Sequence, residues 1–313
     1  MSLISFSRDK FIPSDEVSLN VRGNYLSVTR GYQVFTFFKT TNNGIPVFLE
    51  DHVDRILGNA QALKMNLSFS KQDVITLVYQ TLEKNDLSNT DCNVMIIFAG
   101  KSPDDISGLV SSQEVDLFIV TSAIKKYPQE SYQNGISLGL YEFERIDAEI
   151  KTPYTYYGGM KAHRSLVAEG PFDEVLYTSK NEILEGTTFS FFIVNNDSVM
   201  TSKLDGRILG SVTRKNLLRI MDLQKIDHKE SVISINDLKT ASEAFIASAN
   251  RDLIPVVSID NQLIGDGKIG PMYKKLMALY QEEISKITGG INLPFDIKSV
   301  SYTHLTLPTK RIV

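Results

Sequence analysis

The chain has 313 residues, 42% of them hydrophobic and 22% charged, with a formal net charge of −4. That apolar content supports one large core or two ordinary ones and argues against a disordered chain. The negative balance offers no basic field to nucleic acid or an anionic membrane, no apolar stretch nears the ~20 residues of a membrane helix, and a single cysteine excludes an internal disulfide. The first residues lack the basic-then-apolar pattern of a signal peptide, so the expectation is a soluble, cytoplasmic protein. Cys92 opens the apolar run 92–99 and reads as a buried, inert thiol.

The first half reads as strands with two helices. Residues 34–39 and 45–49 flank Thr41-Asn42-Asn43-Gly44, a hairpin signal. Helical spacing follows over 52–65, with Val53, Ile56, Leu57, Ala60 and Leu63 on one face. Ser70 is a good N-cap, with Asp73 in the first turn of a helix burying Val74, Leu77, Val78 and Leu82. The continuous apolar runs 94–99 and 115–120 predict buried strands. The charged, proline-broken stretch 125–131 is the best linker.

Beyond it the pattern gives a strand over 136–143, a helix over 159–169, and strands over 175–178 and 189–194. A helix over 211–221, a hairpin over 256–264 turning at Asp260-Asn261, and a helix over 271–287 with Pro271 in its first turn complete the chain. Strands and helices mix without strict alternation, which favours an α+β protein of two domains. The expected division is a small N-terminal domain over 1–124, a linker over 125–132 and a larger domain over 133–299. Residues 300–313 look like the translated read-through of a sequencing-library adapter, and are expected to be a non-native tail.

Chemistry-bearing residues are scattered. Lys151 lies between a strand and a helix with Tyr154, Tyr156 and Tyr157 close by in sequence; it becomes a nucleophile only if desolvation or neighbouring cations depress its pKa. Glu185 follows a strand-like turn. Gly210-Ser211-Val212-Thr213-Arg214 opens a helix, where free N–H groups and the Ser211 and Thr213 hydroxyls form a ready anion site. Arg55, near another helix start, can grip a phosphate with two hydrogen bonds. Ala247-Ser248-Ala249-Asn250 ends a strand with small residues that let a ligand approach the backbone. Taken singly, each is more simply an exposed lysine, a turn carboxylate, a helix cap or a surface arginine.

Their order and spacing, however, resemble the class IV pyridoxal-phosphate aminotransferases over about residues 4–287. The glycine-led strand entry is Arg30-Gly31-Tyr32-Gln33-Val34-Phe35, followed by His52-Val53-Asp54-Arg55. Lys151 precedes Tyr156 by five positions and Glu185 by 34, Gly210 to Arg214 stand for the phosphate-cup element, and Ile264 to Gly270 form a late Gly-Asp-Gly stretch. The resemblance implies the two-domain fold type IV with pyridoxal 5′-phosphate in the interdomain cleft, a homodimer, and amino-acid and 2-oxo-acid substrates, with no metal. It implies that Lys151 carries the cofactor and moves the substrate proton, and that Glu185 keeps the pyridine nitrogen protonated so that the ring can draw in carbanion charge. Tyr156 is placed on the phenolic oxygen. Arg55, Ser211, Val212 and Thr213 are placed on the phosphate, with Ser248 and Ala249 completing the cup. Phe35, Phe37 and Thr188 are candidate substrate-pocket residues, the two phenylalanines serving equally well as strand core.

The chain departs from the family's pattern in several places. Thr155 and Ser190 replace asparagines, Thr36 replaces a glutamate, and strand 93–100 carries Val94 and Ala99 where relatives place an arginine. The substrate carboxylate must therefore be held by other groups. Two alternatives follow: an aminodeoxychorismate lyase releasing pyruvate, which Thr36 favours and the missing arginine disfavours, and a non-catalytic binding homologue, which retention of Lys151, Glu185 and Arg55 disfavours.

Overall fold

The structure, a computed structural model, describes residues 2–42, 44–86, 91–102 and 114–289. Asn43 of the expected hairpin turn and the 300–313 tail lie outside the described residues.

The first sheet begins with the hairpin β1 (Ile4–Ser7) and β2 (Lys10–Pro13). After α1 (Tyr25–Arg30), β3 (Gln33–Thr41) pairs with the short β4 (Ile45–Pro46), and α2 (Leu49–Ala62), α3 (Lys71–Glu83), β5 (Cys92–Gly100) and β6 (Val115–Ala123) follow. The strand order is β2-β1-β6-β5-β3-β4. Strand β3 shows why the sequence pleats as it does. Val34 and Phe38 are buried against Val53, Ile56 and Ala60 of α2, while Phe35 and Phe37 alternate onto the opposite face and stay half-buried. Ser70 and Asp73 exchange hydrogen bonds in a full capping box at the start of α3. Burial pushes the Cys92 thiol up to about 11, as an inert core thiol requires.

The second sheet is larger and mixed. Its elements are α4 (Gln129–Asn134), β7 (Ile136–Glu142), α5 (Tyr157–His163), β8 (Glu174–Ser179), β9 (Glu182–Gly186), β10 (Ser190–Asn195) and β11 (Ser198–Ser202). They continue through α6 (Val212–Leu223), β12 (His228–Ser231), β13 (Ile233–Ser234), α7 (Ile235–Leu238), β14 (Glu243–Ser248), β15 (Asp252–Ile259), β16 (Gln262–Leu263) and α8 (Pro271–Gly289). The order is β12-β11-β10-β14-β15-β7-β8-β9-β13, with β16 beside β15. Both faces are covered, which explains the unbroken apolar runs: in β10, Phe191 and Ile193 enter one core while Phe192 and Val194 enter the other, under α6 and α8.

Local expectations fail in informative ways. The helix expected over 52–65 runs from Leu49 to Ala62, since Phe48 and Lys64 adopt positive φ (52° and 54°) on either side of it. The stretch 125–131 is only partly a connector, because α4 begins at Gln129, and Tyr127 and Tyr132 pack onto the second sheet's core. The helix expected over 159–169 is entered by a 3-10 turn at Pro153–Tyr156 and widens to a π turn at Arg164–Ala168. Glu185, read as a turn residue, lies inside β9. Polar contacts join the two halves: Lys39 to Asp252 at 2.7 Å, Lys215 to Asp51 at 2.6 Å, and the Phe35 N–H to the Lys151 carbonyl at 3.0 Å.

Ile96 on β5 is fully buried between β3 and β6. Ile96→Ala is expected to cost about 2–5 kcal/mol in urea unfolding, a loss that removes a large part of a marginal stability.

Candidate active site

A cavity of about 280 Å³ is lined by residues from both sheets, and it gathers every site residue chosen from the sequence. Phe35, Phe37 and Arg55 reach it from the first sheet. Lys151, Tyr156, Glu185, Thr188, Ser211, Val212, Thr213, Ser248 and Ala249 reach it from the second.

Lys151 is fixed at backbone and tip. Its N–H donates to Asn59 Oδ1 on α2 at 2.9 Å, and its carbonyl accepts from the Phe35 N–H of β3. Its Nζ donates to the Tyr156 hydroxyl at 2.8 Å and lies 4.8 Å from the centroid of the Phe35 ring. Burial, then the Arg55 and Arg145 cations, hold its pKa well below the usual lysine range, against the weaker pull of Glu185. Burial also raises the Tyr156 phenol, which therefore stays protonated.

Arg145 is the main residue that sequence reasoning missed. Its guanidinium stacks over Tyr156 and Tyr177 at 5.2 and 5.4 Å, and its Nη2 donates to the Gly186 and Thr187 carbonyls at 3.0 and 2.6 Å. Its Nη1 lies 3.4 Å from Glu185 Oε1, a charge contact without hydrogen-bond geometry, so Oε1 is buried with no hydrogen-bond partner. Burial pushes the Glu185 carboxyl up, opposed by Arg145, the Leu209 N–H and Lys151. At the next residue, a Cβ on Gly186 would fall 2.0 Å from the Phe189 ring, so this strand end admits only glycine without repacking.

At the opposite wall, Arg55 Nη2 donates to Thr36 Oγ1 at 2.8 Å, its Nη1 makes a long 3.4 Å contact with the Gly210 carbonyl, and its buried Nε has no partner. Thr36 Oγ1 also lies 2.8 Å from His52 Nδ1. Thr36 Oγ1 thus bridges the Arg55 guanidinium and the His52 ring. Burial, Arg55 and Lys151 all hold the His52 pKa well below its usual range. Burial lowers Arg55 itself to about 10. Next to it Ser211 caps α6 by accepting from the Arg214 N–H at 3.3 Å, which leaves the first N–H groups of that helix without intrahelical partners. Arg214 itself turns away to the Ser202 carbonyl and Glu230. The site also contains Asn59 and His52, which stand with Arg55 at helical spacing on α2. That spacing was the available signal for Asn59, whereas Arg145, in a Glu-Arg-Ile-Asp loop, carries none.

Even without a charge on Lys151, the lining sets the Arg55 and Arg145 guanidiniums against Glu185 alone. A cavity with that excess of positive charge suits a ligand with more than one negative charge. Among the described residues no cluster of histidine, cysteine or carboxylates could hold a metal, and no helix is long and apolar enough to cross a membrane. On β5, Val94 faces the core, and Val94 and Ala99 are absent from the cavity wall.

The family model of class IV amino-transferases matches residues 33–259, and the chain belongs to that family. A probable branched-chain-amino-acid aminotransferase of Aquifex aeolicus is 24% identical over 88% of this chain and 90% of its own. A D-alanine aminotransferase of Bacillus licheniformis is 26% identical over 82% of this chain and 90% of its own. Two solved structures share the fold. The branched-chain aminotransferase of Thermoproteus uzoniensis with norvaline has a TM-score of 0.82, 20% identity, and coverage of 92% of this chain and 96% of its own. The pyridoxal-phosphate form of the Thermobaculum terrenum branched-chain enzyme has a TM-score of 0.80, 20% identity, and coverage of 91% and 95%. The fold is thus type IV, and the lyase and non-catalytic alternatives gain no support from these likenesses.

Pyridoxal 5′-phosphate is the cofactor of this family, and the orphaned groups fit it. The partnerless Glu185 Oε1 matches a protonated ring nitrogen, the partnerless Arg55 Nε and the start of α6 match a phosphate, and the low-pKa Lys151 amine matches an aldehyde.

Lys151 gives a stability prediction with a definite sign. Above about pH 10.5 the lysine is neutral in folded and unfolded chains alike, and it contributes no cost. As pH falls, the unfolded chain gains a proton that the folded one refuses until its depressed pKa is reached. Cofactor-free Lys151→Met should therefore melt above the cofactor-free wild type, the gap widening by up to ~1.4 kcal/mol per pH unit below pH 10. Parallel melts from pH 10 to 7 check this, and a constant gap counts against it.

Proposed function

We propose that the chain is a pyridoxal-phosphate-dependent aminotransferase that moves the amino group of an amino acid with an apolar side chain to a 2-oxo acid. The observation that carries this is the convergence, in one cavity, of an amine whose pKa is held well below the usual lysine range, a carboxylate with one orphaned oxygen and an arginine with an orphaned Nε beside a helix start. Phe35, Phe37, Phe189 and Leu209 give the remaining wall an apolar character that suits a branched-chain or similar substrate, of L or D configuration.

Arg55 and the first amides and hydroxyls of α6 would hold the phosphate, and Glu185 the ring nitrogen, while Tyr156 would face the phenolic oxygen. Pyridoxal 5′-phosphate supplies, when bound, a sink for the electron pair left at the substrate's α-carbon. Lys151 Nζ, released in its neutral form, takes the proton from that carbon, and the Tyr156 hydroxyl keeps the amine aimed through their shared hydrogen bond. Glu185 holds the proton on the ring nitrogen, for which its charged form must persist; Arg145 and the Leu209 N–H supply that bias against the effect of burial. Ser248 and Ala249 would complete the phosphate cup, and with Thr188 they border the rest of the cavity, where polar groups of these turns would receive the substrate carboxylate in place of an arginine on β5.

We also propose a homodimer in the reducing cytoplasm, where a chain whose one cysteine is buried needs no disulfide. Ile146, Tyr154, Tyr157 and Met160 are all exposed on the segment that brackets Lys151, an apolar surface suited to cover by a second copy. Light scattering should report twice the chain mass, falling to the chain mass in Tyr157→Asp; a monomeric wild type would refute the dimer.

The function is tested by loading the protein with cofactor and following half-reactions with L- and D-amino acids by absorbance. The wild type should convert apolar amino acids to their 2-oxo acids, and Lys151→Ala should lose both the bound-cofactor band and activity. Glu185→Gln should bind cofactor yet lose at least ~10²-fold in turnover, because a neutral amide does not hold a positive ring nitrogen. Full activity in that variant would remove Glu185 from its role, and release of pyruvate from aminodeoxychorismate in place of transamination would make the chain a lyase.

A further inference from the structure

Against the cavity lining, but not part of it, lies another buried arginine. Arg251 belongs to the short connection between β14 and β15, directly after Asn250, and 4% of it is exposed. Its donors reach four parts of the fold. Nε donates to Ser248 Oγ at 3.2 Å, Nη2 to Thr188 Oγ1, and Nη1 to Glu174 on β8 and, at 3.4 Å, to the Tyr127 hydroxyl. Glu174 is buried too, and its second oxygen accepts from Thr187 Oγ1 at 3.2 Å. The guanidinium lies 5.3 Å over the Tyr127 ring and 5.5 Å over Phe189.

Ser248 and Thr188 line the cavity, while Arg251, Glu174 and Tyr127 do not. One planar cation therefore fixes, from behind, both turns that flank the substrate space, 186–189 and 248–250. It also ties them to the segment leading out of the first sheet. Of the residues expected around the phosphate, its partners include Ser248 but not Arg55, Ser211, Val212 or Thr213. Lysine cannot replace it, since a point charge on a flexible stem does not reach four divergent acceptors at fixed angles.

We propose that Arg251, held by Glu174, is a positioning residue that sets substrate affinity, rather than cofactor affinity, by locking the two turns. This inference rests on the aminotransferase reading, and its test separates the two. A wild-type protein that neither binds pyridoxal 5′-phosphate nor transaminates refutes that reading, whatever Arg251 does. For a wild type that does, Arg251→Lys and Glu174→Gln are compared with it in three measurements. These are the dissociation constant of pyridoxal 5′-phosphate by equilibrium dialysis, KM and kcat for the best amino acid, and calorimetric binding of the unreactive carboxylate 4-methylpentanoate to the loaded protein.

In both variants KM and the 4-methylpentanoate dissociation constant should rise by about tenfold or more, with kcat within about threefold and cofactor affinity unchanged, the pattern of lost ground-state binding. Melting curves of the loaded proteins accompany each measurement. If Arg251→Lys does not fold, the milder Glu174→Gln, which keeps the arginine and an acceptor, decides alone. Unchanged KM and 4-methylpentanoate binding, or a parallel loss of cofactor affinity, overturns the proposal, because a purely structural pair would weaken both ligands together.

Discussion

The site depends on one electrostatic constraint: three cationic side chains share a buried cavity with a single carboxylate. Arg55, Arg145 and Lys151 cannot all keep a full charge there without water or counter-ions, and the group that yields is the one able to lose a proton. The two guanidiniums stay charged, so the cost falls on the amine of Lys151. Its lowered pKa comes from burial first and then from Arg55 and Arg145, which reach it from opposite walls. Neither sheet alone could create this lysine. The first brings Arg55 on α2, the second brings Arg145 ahead of α5, and the Phe35 amide and Asn59 side chain fix the Lys151 backbone between them.

Arg145 serves both ends of this arrangement, and its two effects have opposite chemical consequences. It depresses the amine, and it counters the rise that burial imposes on Glu185. A base that must be neutral and an acid that must be ionised are thus biased by the same cation, which stacks on Tyr156 and Tyr177 rather than closing a hydrogen-bonded pair with the carboxylate. A closed Arg145–Glu185 hydrogen bond would satisfy Oε1 and leave it poorly disposed to accept a ring N–H. The 3.4 Å offset keeps the electrostatic benefit while the oxygen stays available.

What could be read from the sequence follows from how local each signal is. Helices α2, α3 and α6 announce themselves through three- and four-residue spacing and the Ser70 and Ser211 caps, and β5 and β6 through apolar runs, because those patterns are written within a dozen residues. Strand β9 was missed because Glu182 and Glu185 make it look polar, although Glu185 is buried and points at the cavity. Lys151, Glu185 and Arg55 were legible only as an ordered set, since burial, the feature that gives each its chemistry, is supplied by distant chain. Arg145 meets Glu185 across 40 residues, and Arg251 meets Glu174 across 77. No spacing rule connects such pairs, and a buried arginine is indistinguishable in sequence from a solvated one.

The replacement at Thr36 shows how a departure from a family pattern acquires physical content. A carboxylate at this position would sit within reach of Arg55, and the strongest partner of that guanidinium would then be internal. Threonine offers a single neutral acceptor, shared with His52 Nδ1, and leaves Arg55 without an acidic partner among its hydrogen bonds. The positive charge that remains acts on Lys151 and His52, holding both below their usual ranges. It is also the charge a phosphate would meet on entering, so an anion bound at Arg55 would partly relieve the pressure on the Lys151 amine. Cofactor capture and lysine basicity are for that reason coupled through Arg55, and the hydroxyl at position 36 leaves that coupling unscreened.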